Sequence, residues 1–203
     1  MMRLYWRPQT RASRVEWVLA ELGDPVERIL APESGTPERF RLHPLGRVPV
    51  LEDDAGVRRF ESLALCTWLA DRRPERGLIP PAGSPERATH DQWLMFAATE
   101  VEPLLDLICL QTEELPPAER NAAIVPWAAD RLRIPLGVLE RAVEGREALV
   151  GNRPQVVDLV LAGMLSWAGR QGHLEAFPAL RAYRDRLLQR PSARRLFSEA
   201  PPC

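Results

Sequence analysis

An α/β first third followed by an all-helical remainder is the fold class this sequence predicts, and three observations carry the prediction. Strand and helix periods alternate from residue 4 to residue 72. The stretch after Arg72, RPERGLIPPAGSPER, holds four prolines and two glycines, a composition that ends a helix and reads as a connection between domains. From Arg87 onward only helical periods appear. The expected division is a first domain over residues 1–76, a linker over 77–86 and an all-helical domain over 87–203.

Each element follows from its pattern. Leu4 to Trp6 reads as a short strand, and Ala12 to Leu22 as a helix with Val15, Val18, Leu19 and Leu22 on one face. Val26 to Leu30 reads as a second strand, which completes a β-α-β unit. The polar, proline-rich stretch APESGTPERFRLHP predicts a loop with a short helix. In RVPVLEDDAGVRRFES, residues 47–62, a Val-Pro-Val strand, a turn over Asp53 to Gly56 and a second short strand lead into the helical run SLALCTWLA. Beyond the linker, Trp93, Phe96, Ala97, Val101, Leu104, Leu105 and Ile108 mark a long helix bent near Pro103. Leu132, Leu136, Leu139 and Val143 mark its partner beyond Pro126 and Pro135. The helix from about Val156 to Gly169 is apolar on nearly all faces and is expected to be the most buried.

Residues 47–62 carry the strongest functional signal. A proline removes a backbone N–H and suits a strand that ends at a ligand edge, leaving the backbone groups of Val48 free. The Val48–Pro49 bond is expected to be cis. Ser62 opens a helix, where backbone N–H groups, the helix dipole and a hydroxyl hold a carboxylate, and Glu61 beside it pairs with an amine. Together they form a dock for a zwitterionic amino-acid end attached to an extended peptide. A ligand-free hairpin followed by a capped helix is the plain alternative for any one of these elements.

Composition bounds the function. The chain has 203 residues, is 45% hydrophobic and 27% charged, and carries a net charge of -1, which argues against a general nucleic-acid binder. All 27 basic residues are arginine. Cys66, Cys109 and Cys203 lie far apart without C-x-x-C or metal spacing, and His43, His90 and His173 are scattered, so no disulfide scaffold and no metal site is expected. No run of 18 apolar residues occurs, and MMRLYWRP lacks a signal-peptide core, so the expected location is the cytoplasm, away from membranes.

Four segments, LYWRPQTRASRVEWVLAELG at 4–23, HPLGRVPVLEDD at 43–54, ESLALCTWLADR at 61–72 and LVGNRPQVVDLVLAGMLSWA at 149–168, make the chain resemble the cytosolic glutathione transferases over nearly its whole length. The resemblance implies a thioredoxin-like first domain, an all-α second domain, glutathione as co-substrate without a metal, a small electrophile as acceptor, and a two-fold homodimer. It places Val48 and Pro49 on the cysteinyl backbone of glutathione, Glu61 and Ser62 on its γ-glutamyl end, and Arg47 near its glycyl carboxylate. A free thiol is only a few per cent ionised at neutral pH, so a transferase must favour the thiolate, and PQTRASR at 8–14 supplies hydroxyls at a helix start. Thr10, four residues before Arg14, matches the serine of some relatives and is the first candidate for the hydrogen bond to sulfur. Tyr5 and Ser13 remain open as alternatives. Arg11 stands where other relatives carry a cysteine, which argues against mixed-disulfide chemistry and offers a guanidinium to a developing anion.

Further positions follow from the resemblance. Trp93, Met95, Phe96, Thr99 and Trp167 are candidates for an apolar co-substrate pocket between the domains, most of them expected in the core. Asp158 matches the carboxylate of a capping box whose hydroxyl partner is replaced here by Gln155, and is assigned a structural role. Cys66 is expected to be a buried small hydrophobe. A glutathione-dependent reductase or dehalogenase, and a glutathione-binding protein without turnover, are the two other functions compatible with these residues.

Overall fold

The computed structural model describes residues 1–197; Cys203 lies outside them. The first part contains β1 (Met2–Trp6), α1 (Ala12–Leu22), β2 (Val26–Leu30), α2 (Pro37–Leu42), β3 (Val50–Glu52), β4 (Arg58–Arg59) and α3 (Ser62–Asp71). Its four strands form one sheet in the order β2-β1-β3-β4. β2 runs parallel to β1, while β3 runs antiparallel to both β1 and β4. Parallel pairing of β1 and β2 requires a crossover, and α1 supplies it. Gly23 ends α1 in the left-handed conformation, its N–H returning to the carbonyl of Ala20. The α/β prediction, the thioredoxin-like arrangement and the helical second half all hold.

The second part contains α4 (Pro85–Phe96), α5 (Glu102–Cys109), α6 (Ile124–Val143), α7 (Val156–Arg170), α8 (Pro178–Leu188) and α9 (Pro191–Leu196). α4 starts at a serine cap: the Ser84 hydroxyl accepts the Arg87 N–H, with Pro85 in the first turn. The bend expected near Pro103 is a π-helical turn, Ala97–Val101, between α4 and α5. Proline lacks an N–H and its ring crowds the preceding turn, so the helix widens there instead of breaking. A second π-helical turn, Leu110–Glu114, ends this long helix.

α6 corrects the sequence reading. It does not wait for the prolines to pass: it starts at Ile124 and runs through both Pro126 and Pro135. Pro126 sits in the first turn, where its missing donor has no partner to lose. Pro135 lies inside the helix, and the burial of Leu132, Leu136 and Leu139 on the same face offsets its lost hydrogen bond.

α7 is the centre of the molecule, as its composition indicated. Val156 to Ser166 are all buried, and the helix packs against α1, α3, α4 and α8. Its start is held by a side chain of its own first turn and by others from α8 and α4. The Asp158 carboxylate accepts the N–H of Gln155 and that of Leu149, both at 2.7 Å, and the hydroxyl of Tyr183 donates to it as well. From α4, Nε2 of His90 accepts the Val157 N–H at 3.2 Å, and its Nδ1 meets Asp91 at 2.9 Å.

That arrangement has a pH consequence. Burial pushes the His90 pKa below its ordinary 6.5, overcoming the pull of Asp91. Protonated Nε2 would also lose its capacity to accept from Val157. A group with a lowered folded-state pKa contributes stability above its unfolded pKa and loses it as the pH falls. The urea midpoint is therefore expected to drop as the pH falls below 6.5, with a shallower slope for His90→Asn, because His43 and His173 are lowered by burial too. Parallel slopes for the two proteins would refute this role of His90.

Candidate functional site

The loop after β1 and the segment before β3 form one wall of a cleft of about 840 Å³ at the domain boundary. That wall presents Gln9, Thr10, Arg11, Gly46, Arg47 and Val48. The opposite wall comes from α5 and its π-helical extension, with Pro103, Asp106, Leu107 and Leu110, and from the end of α7, with Trp167 and Gln171. A concave site between domains with an apolar lining and a few polar groups is the usual form of a small-molecule site.

The first wall is shaped by its backbone. The Val48–Pro49 peptide bond is cis, as the sequence suggested. Gly46 has φ +61°, and a Cβ there would meet the Phe40 ring at 3.1 Å, so glycine is required just before Arg47. Buried Arg39 ties this segment down by donating to the carbonyls of Gly46 (3.1 Å) and Pro32 (2.8 Å). Among the described residues, Gln9 (φ +54°) and Glu61 (φ +67°) are the non-glycine positions with positive φ. Gln9 lines the cleft and Glu61 immediately precedes α3. Backbone held in this region costs roughly 1–3 kcal/mol per residue and gathers at functional sites.

The structure sorts the residues singled out from the sequence. Thr10, Arg11, Arg47 and Val48 stand together on the cleft wall, with buried Pro49 directly behind. Tyr5 and Ser13 do not line it; Tyr5 lies in the sheet near the Arg58 guanidinium, 5.8 Å from the ring centre. Glu61 and Ser62 also stand off the wall. Ser62 is buried, and its hydroxyl accepts from Arg14 at 3.4 Å. Of the proposed apolar lining only Trp167 faces the cleft. Trp93 and Phe96 pack edge to face against one another and against the core, while Met95 is 50% exposed.

Thr10 is engaged within its own loop. Its hydroxyl donates to the carbonyl of Arg7 at 2.7 Å and accepts the Ala12 N–H at 3.4 Å. To serve a thiolate it must turn its hydrogen away from that carbonyl. Arg11 is not a free cation. Its Nε donates to Glu102 at 2.6 Å and its Nη2 to Asp106, and its guanidinium stands 5.9 Å from the Trp167 ring centre. Burial works against its charge, but Glu102 and Asp106 hold its pKa above the ordinary value.

Glu102 is also the partner of Arg14, which is 1% exposed and donates from Nη2 at 2.6 Å. Burial alone would raise the Glu102 carboxyl, but Arg14 and Arg11 outweigh it and hold the pKa below 4.5. The sequence reading missed Glu102 and Asp106. A signal was present: they lie four residues apart on one helix face, opposite two arginines three apart on another.

The cysteines are poor nucleophiles. Burial pushes the Cys66 thiol up to about 12. Cys109, on the cleft wall, is pushed up to about 11 by burial and by Glu113 and Glu114. Both stay protonated at neutral pH, so neither supplies a thiolate to this cleft. Among the described residues no group of three or more His, Cys, Asp or Glu is gathered to hold a metal, and no helix is long and apolar enough to cross a membrane.

Comparison with known proteins agrees with this architecture. Residues 10–72 match the family model for the glutathione S-transferase N-terminal domain, and residues 94–191 match that for the C-terminal domain. The chain is 29% identical over 172 residues to elongation factor 1-gamma of Sus scrofa, an alignment covering 83% of this chain and 38% of that relative's length. It is 29% identical over 154 residues to glutathione S-transferase GstA of Escherichia coli O157:H7, covering 75% of this chain and 73% of that protein. Among solved structures, the glutathione transferase URE2P6 from Phanerochaete chrysosporium in complex with oxidized glutathione superimposes with a TM-score of 0.88 at 26% identity, covering 98% of this chain and 95% of that one.

Proposed function

Because the chain belongs to the glutathione S-transferase family, we propose that it binds glutathione in the domain-boundary cleft and transfers the thiolate to a small electrophile. The observation that carries this reading is the meeting of Thr10, Arg47 and Val48 on one wall, opposite a wall of mixed apolar and charged residues from the helical domain. In the proposed complex Val48 and Pro49 hold the cysteinyl backbone, Arg47 takes the glycyl carboxylate, and Glu61 and Ser62 take the γ-glutamyl end beyond the cleft. Thr10 turns its hydroxyl from Arg7 to the sulfur, and the start of α1 adds its dipole. Arg11, kept in place by Glu102 and Asp106, faces the anion that develops as the carbon–sulfur bond forms and the leaving group departs. The working protein is proposed to be a cytoplasmic two-fold homodimer; exposed Phe40, Leu45, Val57 and Phe60 support a covered face on the first domain.

The test is conjugation of glutathione to an aryl halide by wild type and Thr10→Ala, together with the thiolate absorbance of the glutathione complex. A hydrogen bond to a charged group contributes about 1.5–3 kcal/mol, so turnover is expected to fall about 10- to 100-fold while glutathione affinity stays near wild type. Unchanged turnover would move sulfur activation to another donor.

A second reading, binding without turnover, is favoured by two observations: the resting Thr10 hydroxyl donates to Arg7, and the chain is similar to elongation factor 1-gamma. Glutathione affinity without thiolate absorbance would select it.

A further inference from the structure

One side-chain amide beside the cleft has no partner among the described residues. Gln171 follows α7 directly and lines the cleft. Both polar atoms of its side chain, Oε1 and Nε2, are shielded from solvent and make no hydrogen bond. Folded proteins leave few buried amide groups unpaired, because the desolvated donor and acceptor are costly. Arg14 and His173 also bury an unpaired polar atom. Among the described residues, Gln171 alone of these three lines the cleft.

Its surroundings say what it can take. Trp167 lies one helical turn earlier on the same face and also lines the cleft, as do apolar Leu107 and Leu110 across from it. Asp106, Glu113, Glu114 and Arg170 also line this side, and the apolar patch of Trp167, Leu107 and Leu110 among them suits a flat apolar body. Arg11, beside Trp167, is held in place by Glu102 and Asp106. An unbonded glutamine side chain turns toward a ligand through a rotamer change alone. Its amide offers two donor hydrogens and one acceptor oxygen. A carboxylate would leave the oxygen unpaired and an ammonium would leave the N–H group unpaired, whereas a carboxamide satisfies both.

We propose that Gln171 is a specificity-determining residue, selecting a co-substrate whose planar body lies along Trp167 and whose far end carries a neutral carboxamide or an equivalent acceptor–donor pair. This rests on the reading that glutathione occupies the first-domain wall. The experiment uses binding, so it does not depend on turnover. S-benzylglutathione and S-(4-carbamoylbenzyl)glutathione are titrated calorimetrically into wild type and into Gln171→Leu. The wild type is expected to bind the carbamoyl conjugate about tenfold or more tightly than the benzyl conjugate, and Gln171→Leu is expected to lose that preference. Equal affinities in the wild type, or a preference that survives in the variant, overturn the specificity role and leave the glutathione reading standing. Binding of neither conjugate overturns both. Thermal unfolding without ligand adds an independent check: the variant is expected to melt at or above wild type, since it removes an unpaired amide. A much lower midpoint would mean that the amide is bonded in the free protein and would overturn the proposal.

Discussion

Replacement of Glu102 by alanine is expected to lower stability by about 3–5 kcal/mol, which for a chain of this size is about 6–20 °C in melting temperature. Glu102 closes an ion-pair cluster across the domain boundary. Arg14 donates to it from Nη2 at 2.6 Å and from Nη1 at 3.3 Å, and Arg11 donates from Nε at 2.6 Å. Without it Arg14, 1% exposed and already carrying an unpaired Nε, keeps only the hydroxyl of Ser62 at 3.4 Å. An uncompensated buried guanidinium is among the costliest defects a core can hold, whereas removal of both charges costs far less. The double variant Arg14→Met/Glu102→Leu is therefore expected to regain most of the lost stability. Calorimetric scanning of the four proteins of the cycle checks this, and a Glu102→Ala midpoint within 2 °C of wild type would remove the cluster from the account.

The same cluster predicts acid sensitivity. The Glu102 pKa is lowered on folding, so its contribution is present above the unfolded value of 4.5 and is lost as the pH falls through the folded value below it. Glu102→Gln is expected to show a smaller loss of stability over that acid range.

Asp158→Ala is expected to be as damaging for a different reason. The carboxylate satisfies three donors: the N–H groups of Leu149 and Gln155, and the hydroxyl of Tyr183, which is itself 1% exposed. Each donor stranded in the core costs about 1–3 kcal/mol, so the loss is at least about 3 kcal/mol and the variant is expected to accumulate poorly as folded protein. Tyr183→Phe removes one donor along with its hydroxyl and is expected to cost only about 1 kcal/mol. Denaturant unfolding of the two variants separates these outcomes. Comparable losses would mean that the Tyr183 bond, and not the backbone cap, dominates. The missing hydroxyl at Gln155 does not leave the start of α7 uncapped, because Asp158 and His90 reach it from the side-chain direction.

Local chemistry was easy to read in the sequence. Ala12–Leu22 and Val26–Leu30 have the boundaries that their apolar spacing and Gly23 imply. The Val-Pro-Val segment leads into β3 beside a cleft, and its Val48–Pro49 peptide bond is cis. Each of these features is decided within a few residues by propensity, backbone sterics or turn chemistry. Pro135 was misread because its local penalty is visible in the sequence while the compensating burial of its helix face is not. Most of the candidates for an apolar lining were expected in the core, and packing decides which of them reaches the cleft. Trp93, Phe96 and Trp167 all pack against the core, and of the three Trp167 also lines the cleft, because the end of α7 reaches that far.

Short-range patterns specify the order and kind of the elements, the two-part architecture, and the Thr10, Arg11, Arg47 and Val48 wall. Long-range packing settles that Arg11 pairs with carboxylates 91 and 95 residues away, that Glu61 and Ser62 stand off the cleft, and that the Gln171 side-chain amide has no partner among the described residues. This is so because charge compensation and hydrogen-bond satisfaction depend on which atoms come within about 3 Å of one another, and that is settled by the packing of distant segments.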